Sequence, residues 1–333
     1  YDDLWKNCAN NVWDPKESLL EISFYSPQST NESSGRVGKW NGVAAADGSI
    51  RGNYNFALYK VNPTFIMNWK DYDKDLRWGI SYADYKYTVA TGKTVLATAK
   101  VNGVTTDITF PMAMDENYEN WDMGWRKTYC YTLTPKKWDI ELYVKDENQL
   151  ADNNYSNVNW YLLRYADVLL LYAEALNEVG RTAEALEQLN QTRRRVGLPD
   201  MTEELLQANQ GYKELPSYTE PLIGNAQLRE EILDERAREF CFEEVRWFDI
   251  IRWKREDVFK KTLYKVHFDY ISGGQSTANG EWVSYDGMKF NYSDPEPMEP
   301  RVWANNFSPK WYFSAFPPKE INKGYGLVQN PGW

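Results

Sequence analysis

From Trp160 the chain takes up a helical period, and that period limits the fold more than any other feature. Leu162, Leu163, Ala166, Leu169, Leu170, Ala173 and Leu176 recur at three- and four-residue steps, as one face of a helix does. Gly180 is placed to end this helix through a left-handed cap. Thr182 is placed to cap a second helix whose inner side carries Ala185, Leu186, Leu189 and Val196. Arg193, Arg194 and Arg195 lie where a helix C-terminus favours cations, and Gly197 with Pro199 closes the segment. Two antiparallel helices joined by so short a turn cannot bury their own apolar face, so another element has to cover them. A third helix is expected over residues 228–253, with Leu228, Ile232, Phe240, Val245, Phe248 and Ile251 apolar. Residues 205–225, polar and holding Pro216 and Pro221, read as a connector.

The flanks have a different texture. Residues 19–24 alternate weakly, as a short strand does, and residues 26–55 are rich in Ser, Gly and Asn, which marks a long loop holding Trp40 and Tyr54. Asn102-Gly103 sits between two β-branched arms over residues 94–110, the signature of a hairpin with a type I′ turn. From Lys260 onward Gly, Asn, Ser and Pro dominate, so loops and short strands are expected to the end. The fold class is therefore α+β, mostly α in the middle, with a tetratricopeptide-like helical hairpin and a long third helix. Three regions follow: 1–158, loop-rich and ligand-binding; 159–260, helical; and 261–333, loop-rich again.

Composition narrows function by exclusion. The acidic side wins, 48 Asp and Glu against 38 Lys and Arg, for a charge of −10, which argues against a nucleic-acid partner. Three cysteines make no disulfide scaffold, and the single histidine, His267, excludes every site that needs two. The most apolar stretch, residues 168–176, is far shorter than the roughly 20 residues of a spanning helix, and Glu174 interrupts it. Asp71, Asp73 and Asp75 imitate the start of a calcium loop, but Leu76 and Tyr82 stand where an EF-hand needs Gly and Glu; a calcium site of another kind stays open. Gly92-Lys93-Thr94 lacks the upstream glycine of a phosphate loop and leads into a hairpin. Glu230, Glu231, Glu235 and Glu239 interleave with Arg229, Arg236 and Arg238, where helical ion pairs suffice to explain them.

The positive anomaly is aromatic: 15 Trp, 24 Tyr and 13 Phe. Trp and Tyr combine a flat apolar face with a polar handle, and such faces stack on sugar rings. An aromatic-rich core is the competing reading. Before the helices the aromatics follow no helix or strand period and lie among Asn41, Asn53, Asn55, Asn68, Arg51, Arg77 and Asp75, which fits a carbohydrate-binding surface on loops. Trp40, Tyr54, Trp69 and Trp78 are the candidate ligand-binding residues; no catalytic or metal-ligating residue is expected, and no cofactor.

At the helices the sequence resembles a known family. NWYLLRYADVLLLYAEALNEVG (159–180), ALEQLNQTRRRVGLP (185–199), ILDERAREFCFEEVRWFDIIRW (232–253) and FPPKEINKGYGLVQNPGW (316–333), with ESLLEISF (17–24) before them, resemble blocks of the SusD/RagB family in order and spacing. The resemblance implies a surface glycan-binding lipoprotein of the outer membrane that hands oligosaccharide to a SusC-like TonB-dependent transporter, binding without breaking bonds. The chain begins at Tyr1 and looks like the C-terminal portion of a family member, so the lipid anchor and an N-terminal helical half, a partner for the uncovered helices, are expected outside it. The signature blocks imply scaffold: Tyr165, Asp167, Glu174, Arg236, Glu243, Arg246 and Asp249 are expected in polar contacts between elements. Two alternatives differ in class: a carbohydrate-active enzyme using Asp73, Asp75 or a glutamate, and a helical interaction protein without glycan affinity.

Overall fold

Leu162 and Leu163 do not begin the first long helix. In the computed structural model, which describes residues 1–14, 16–24, 37–43, 61, 65, 69–71, 74–83, 85–88, 92–95, 98–101, 104–107, 124–129, 134–139, 143, 158–208, 223–260, 264–276, 282–297 and 307–333, they lie on a strand, β9 (Trp160–Arg164). This strand runs antiparallel to β1 (Ser18–Ile22), with Leu20 opposite Leu163 and Ile22 opposite Trp160. Within it Tyr161 and Arg164 are buried while Leu162 is exposed, so this leucine, which fits the helical period, points to solvent.

The first long helix is α4 (Tyr165–Glu178), followed by α5 (Thr182–Arg195). Gly180 adopts φ +79° and its N–H donates to Asn177 O, ending α4 as its placement predicts. Thr182 is the first helical residue rather than the cap; Arg181 holds the cap position and makes no side-chain capping bond. Gly197 closes α5 at φ +81°.

The cover for this hairpin is α7 (Ala226–Glu239), with a short helix, α6 (Glu203–Ala208), inside the segment that reads as a connector. Ala166, Leu170, Ala173 and Leu176 meet Ala185, Leu186 and Leu189 from α5, Leu228 and Ile232 from α7, and Leu206 from α6, in one apolar cluster closed by Met201 and Phe240. Asn225 caps α7, its side-chain oxygen accepting from the N–H groups of Gln227 and Leu228 at 2.9 and 3.0 Å.

The expected third helix is two helices. It breaks after Glu239, passes through Phe242 (φ +66°) and Glu244 (φ +63°), and resumes as α8 (Val245–Arg252). No Gly or Pro signals the break. Partners from elsewhere satisfy the carbonyls it frees: Lys137 Nζ donates to Glu239 O at 2.8 Å and Trp138 Nε1 to Phe242 O at 3.2 Å. One further short helix, α9 (Glu256–Lys260), follows.

A second core lies at the front of the chain. Helix α1 (Asp2–Ala9) buries Leu4, Trp5, Cys8 and Ala9 against Trp138, Tyr143, Val158 and Tyr161. Trp5 meets Trp138 edge-on at 5.2 Å, and Trp138 stacks on Trp160 at 5.1 Å. Part of the aromatic excess is therefore core. The Asn-Gly hairpin forms with Val101 opposite Val104, between β5 (Thr98–Val101) and β6 (Val104–Asp107). Its arms are shorter than expected, because Val95 belongs to β4 (Gly92–Val95), which pairs with β3 (Tyr85–Thr88). Beyond Lys260 the strands are long: β10 (Tyr264–Ser276) pairs with β11 (Trp282–Pro297) on one edge and β7 (Gly124–Tyr129) on the other. Among the described residues no helix is long and apolar enough to cross a membrane.

Candidate functional site

The four candidate aromatics separate. Tyr54 lies outside the described residues. Trp40, on the short helix α2 (Val37–Asn41), is 36% exposed. Trp69 and Trp78 are 4% and 5% exposed and meet edge-to-face at 5.7 Å. Trp78 opens the short helix α3 (Trp78–Ser81), and Trp69 Nε1 donates to Asp75 Oδ2 at 3.0 Å. Enclosed rings offer no face to a sugar, so both indoles act in packing; the sequence shows that they are aromatic but not that Asp75 draws one of them inward.

Asp75 is tied as well. Oδ1 accepts from the Arg77 N–H at 3.0 Å and Nε at 2.9 Å, and Oδ2 accepts from Arg77 Nη2 at 2.8 Å. A buried carboxylate bonded at both oxygens to one guanidinium is poorly placed to act as acid or base. Asp73 lies outside the described residues. Among the described residues no group of three or more His, Cys, Asp or Glu side chains is placed to hold a metal ion.

Arg77 instead begins an ionic hub inside the protein. Its Nη1 donates to Glu235 Oε1 at 2.7 Å and Glu239 Oε2 at 3.2 Å. Arg164, at the end of β9, reaches Glu243 and Glu239 at 2.8 and 3.0 Å and also pairs with Glu17. Lys137 takes Glu243 at 2.7 Å, and Arg195 bridges Glu17 and Glu239. Arg193 and Arg238 extend the hub to Glu231 and Glu235, which makes six cations and six anions among the described residues. Equal numbers matter, because an uncompensated charge at such depth costs several kcal/mol, by rough measure. Burial by itself would raise the Glu235 carboxyl; Arg77 and Arg238 outweigh it and hold it at about 2. Glu239 is held well below the ordinary carboxylate range in the same way, against burial, by Arg195, Arg164 and Arg77. The Arg-Glu run on α7 is thus less a surface of helical pairs than a set of buried contacts between elements.

The signature residues behave alike, with one exception. Arg236 joins Asp167 at 2.7 Å to Asp249 at 2.8 Å, Glu174 accepts from Trp253 Nε1 at 2.7 Å, and Arg246 Nη1 donates to Leu233 O at 3.1 Å. Tyr165 is instead 44% exposed.

One described concavity includes Asn41, the residue that follows Trp40 in the chain. A cleft of about 470 Å³ opens between Asn41, Phe242, Glu244, Arg246, Trp247 and Phe248, a size in the range of small-ligand sites. Trp247 and Phe248 are exposed on α8, and Phe242 and Glu244 are the two left-handed residues of the break before it. Left-handed backbone at residues other than Gly is strained and collects at binding sites. The lining offers aromatic faces, an amide, a guanidinium and a carboxylate, but no His, Cys or Ser. Such a surface can hold a ring bearing hydroxyls. The sequence does not show it, because the lining comes from three separate segments (Asn41, Pro135 and residues 240–248) and Trp247 and Phe248 read as part of one continuous helix.

Comparison with known proteins agrees with this scaffold. The SusD family matches residues 17–333, and the chain belongs to that family. SusD-like protein P2 of Formosa agariphila is 37% identical over 108 residues, 32% of this chain and 19% of that protein. The crystal structure of a SusD homolog from Bacteroides thetaiotaomicron matches with a TM-score of 0.65 at 32% identity, over 100% of this chain and 55% of its own. Surface glycan-binding protein A from the same species, solved in complex with laminarihexaose, shares the fold at a TM-score of 0.54 and 17% identity, over 99% of this chain and 54% of its own. The chain thus spans about half the length of these solved relatives.

Proposed function

We propose that the chain forms part of a SusD-like surface glycan-binding protein that captures oligo- or polysaccharide and passes it to a SusC-like TonB-dependent transporter at the outer membrane, held there by a lipid anchor outside these residues. The observation that carries this reading is family membership over residues 17–333. The exposed Trp40 and the aromatic cleft that includes the next residue, Asn41, support it: Trp40, Trp247 and Phe248 would meet sugar faces, while Asn41, Arg246 and Glu244 would read hydroxyls. Tyr54, outside the described residues, stays a candidate. The function is binding without bond cleavage and calls for no cofactor; the engagement of Asp75 by Arg77 weighs against the alternative that uses this carboxylate as a catalyst. Affinity for a short sugar should be modest, since hydroxyls must lose water before they are paired.

Native affinity electrophoresis through gels carrying single polysaccharides tests this. The chain should be retarded by one glycan of a panel, and Trp40→Ala with Trp247→Ala should remove the retardation while the melting temperature stays within a few degrees. Retardation that survives the double substitution would move the site elsewhere; mobility unchanged by every glycan would take the binding reading from this portion of the protein.

A further inference from the structure

Six arginines lie between Arg229 and Arg255, the two ends included, and five of them meet carboxylates. Arg229 pairs with Glu178, Arg236 with Asp167 and Asp249, Arg238 with Glu231 and Glu235, Arg252 with Glu174, and Arg255 with Glu230 and Asp257. Arg246 is the exception. Among the described residues it enters no ion pair, and its one side-chain bond runs from Nη1 to Leu233 O at 3.1 Å. Its Nε–Nη2 edge, two parallel N–H groups that fit a carboxylate side-on, has no acceptor among the described residues.

Burial draws the Arg246 guanidinium below its ordinary value, and Asp234 and Asp249 restore only part of it. Asp249 and Glu230, which also acts on it, are already taken by other arginines. Burial acts on Arg255 too, but there Asp257 and Glu230 outweigh it and raise the group. A partly buried cation without a close anion is an unbalanced charge, and an anion placed against it gains more than one in open water.

The place of Arg246 in the fold says where that anion would come from. Arg246 lines the cleft with Trp247 and Phe248, and none of Asp234, Asp249 and Glu230 does. It is the second residue of α8, whose first turn holds no acidic side chain and whose capping residue, Glu244, gives no capping bond. The amide N–H groups of that turn add to the positive potential. Glu244, the acid in the lining, is exposed and is not among the carboxylates that act on Arg246. The charge of −10 on the whole chain opposes an acidic polymer mainly at long range, where physiological salt screens it beyond about 8 Å.

We propose that the cleft takes an acidic sugar, and that Arg246 selects it by pairing with the carboxylate of a uronic acid residue whose ring meets Trp247 and Phe248. The inference rests on the reading of the cleft as a glycan site and adds the sugar class to it.

Affinity electrophoresis of the chain through polygalacturonate, alginate and hyaluronan, each beside its carboxyl-reduced form, tests it, with a neutral glucan and a carrageenan as controls. Reduction turns each carboxylate into a primary alcohol and leaves the ring in place. At least one acidic polymer should bind at least about tenfold more tightly than its reduced form, the worth of one charge-assisted bond. In Arg246→Gln that ratio should fall to about one whatever the absolute affinities become, because a merely structural role would lower both forms alike. Arg246→Lys keeps the charge without the fork, so it should keep part of the preference, and it reads the same ratio if the glutamine variant does not fold. Equal retardation by acidic and reduced forms, removed by Trp247→Ala, would overturn the acidic sugar and leave the glycan reading standing. A ratio untouched by either substitution of Arg246 would overturn its role. Retardation by the sulfated carrageenan and by none of the uronates would overturn the carboxylate. Mobility unchanged by every polymer, the neutral glucan included, would remove the glycan reading itself.

Discussion

Arg77 has no exposed surface and touches three carboxylates, those of Asp75, Glu235 and Glu239. Arg77→Met keeps much of its length and apolar stem but leaves all three acids short of a donor. Breaking a buried pair from one side costs about 3–5 kcal/mol, so the urea midpoint should fall accordingly; a loss below about 1 kcal/mol, the worth of a surface pair, would mean that water reaches the hub. The hub also sets the acid limit. Glu235 sits at about 2 against its ordinary 4.5, so its contribution is complete above about 4.5 and declines as the pH falls toward 2. Melting temperature should drop steeply between pH 4.5 and 2 and level off above it, and Glu235→Gln should flatten that slope; a slope unchanged by the substitution would place the acid sensitivity elsewhere. Individual residues were the least legible scale. Trp40, Trp69 and Trp78 look alike in sequence, and what separates them is the neighbours that folding brings: Trp69 meets Asp75 through its indole N–H and packs edge-to-face on Trp78.

Among the elements, helix ends with a local chemical cause were legible. Gly180 and Gly197 end α4 and α5 because only a left-handed residue continues the chain there, and Val101 stands opposite Val104 as the intervening Asn-Gly sequence predicts. Ends caused from a distance were not. The break before α8 depends on Lys137 and Trp138, about a hundred positions earlier, accepting the duty of a cap. Glu244 there has φ +63° and an exposed side chain, so Glu244→Gly should raise stability by up to about 1 kcal/mol; a clear loss in a thermal melt would show that its side chain, not its backbone, is what the turn uses. Gly224 is the reverse case. A Cβ there would stand 1.8 Å from Asn177 O, beside the paired bonds between Asn177 and Asn225 that fix the start of α7. Gly224→Ala should cost about 1–3 kcal/mol, read as a lower melting temperature; an unchanged one would mean that the connection yields freely.

At the scale of the whole molecule the described front of the chain and its helical middle are joined. Trp5 is fully buried against Trp138 and Tyr161, Glu17 enters the hub through Arg164 and Arg195, and β1 is the strand partner of β9. Residues 159–260 expressed alone should therefore fail to unfold cooperatively by circular dichroism; a sharp two-state melt would show that the helical region stands by itself. The helical character of this region, the pairing of α4 with α5, the need for a cover and the likeness to the SusD family are all legible in the sequence, because helical period and glycine stops act over a few neighbouring residues. The cover itself, α7, shows its apolar positions in the sequence but not its break. Leu162 and Leu163 fit the helical period and yet lie on a strand, since the edge of β1 competes for the same backbone. The length of β10 and β11 was hidden under Gly, Asn and Ser, whose weak strand preference is outweighed by pairing on both edges of β10. Sequence thus determined what is decided within a turn or two of helix; tertiary structure alone decided which aromatics lie inside, where the third helix breaks and which charges meet, because each of those depends on a partner brought near only by folding.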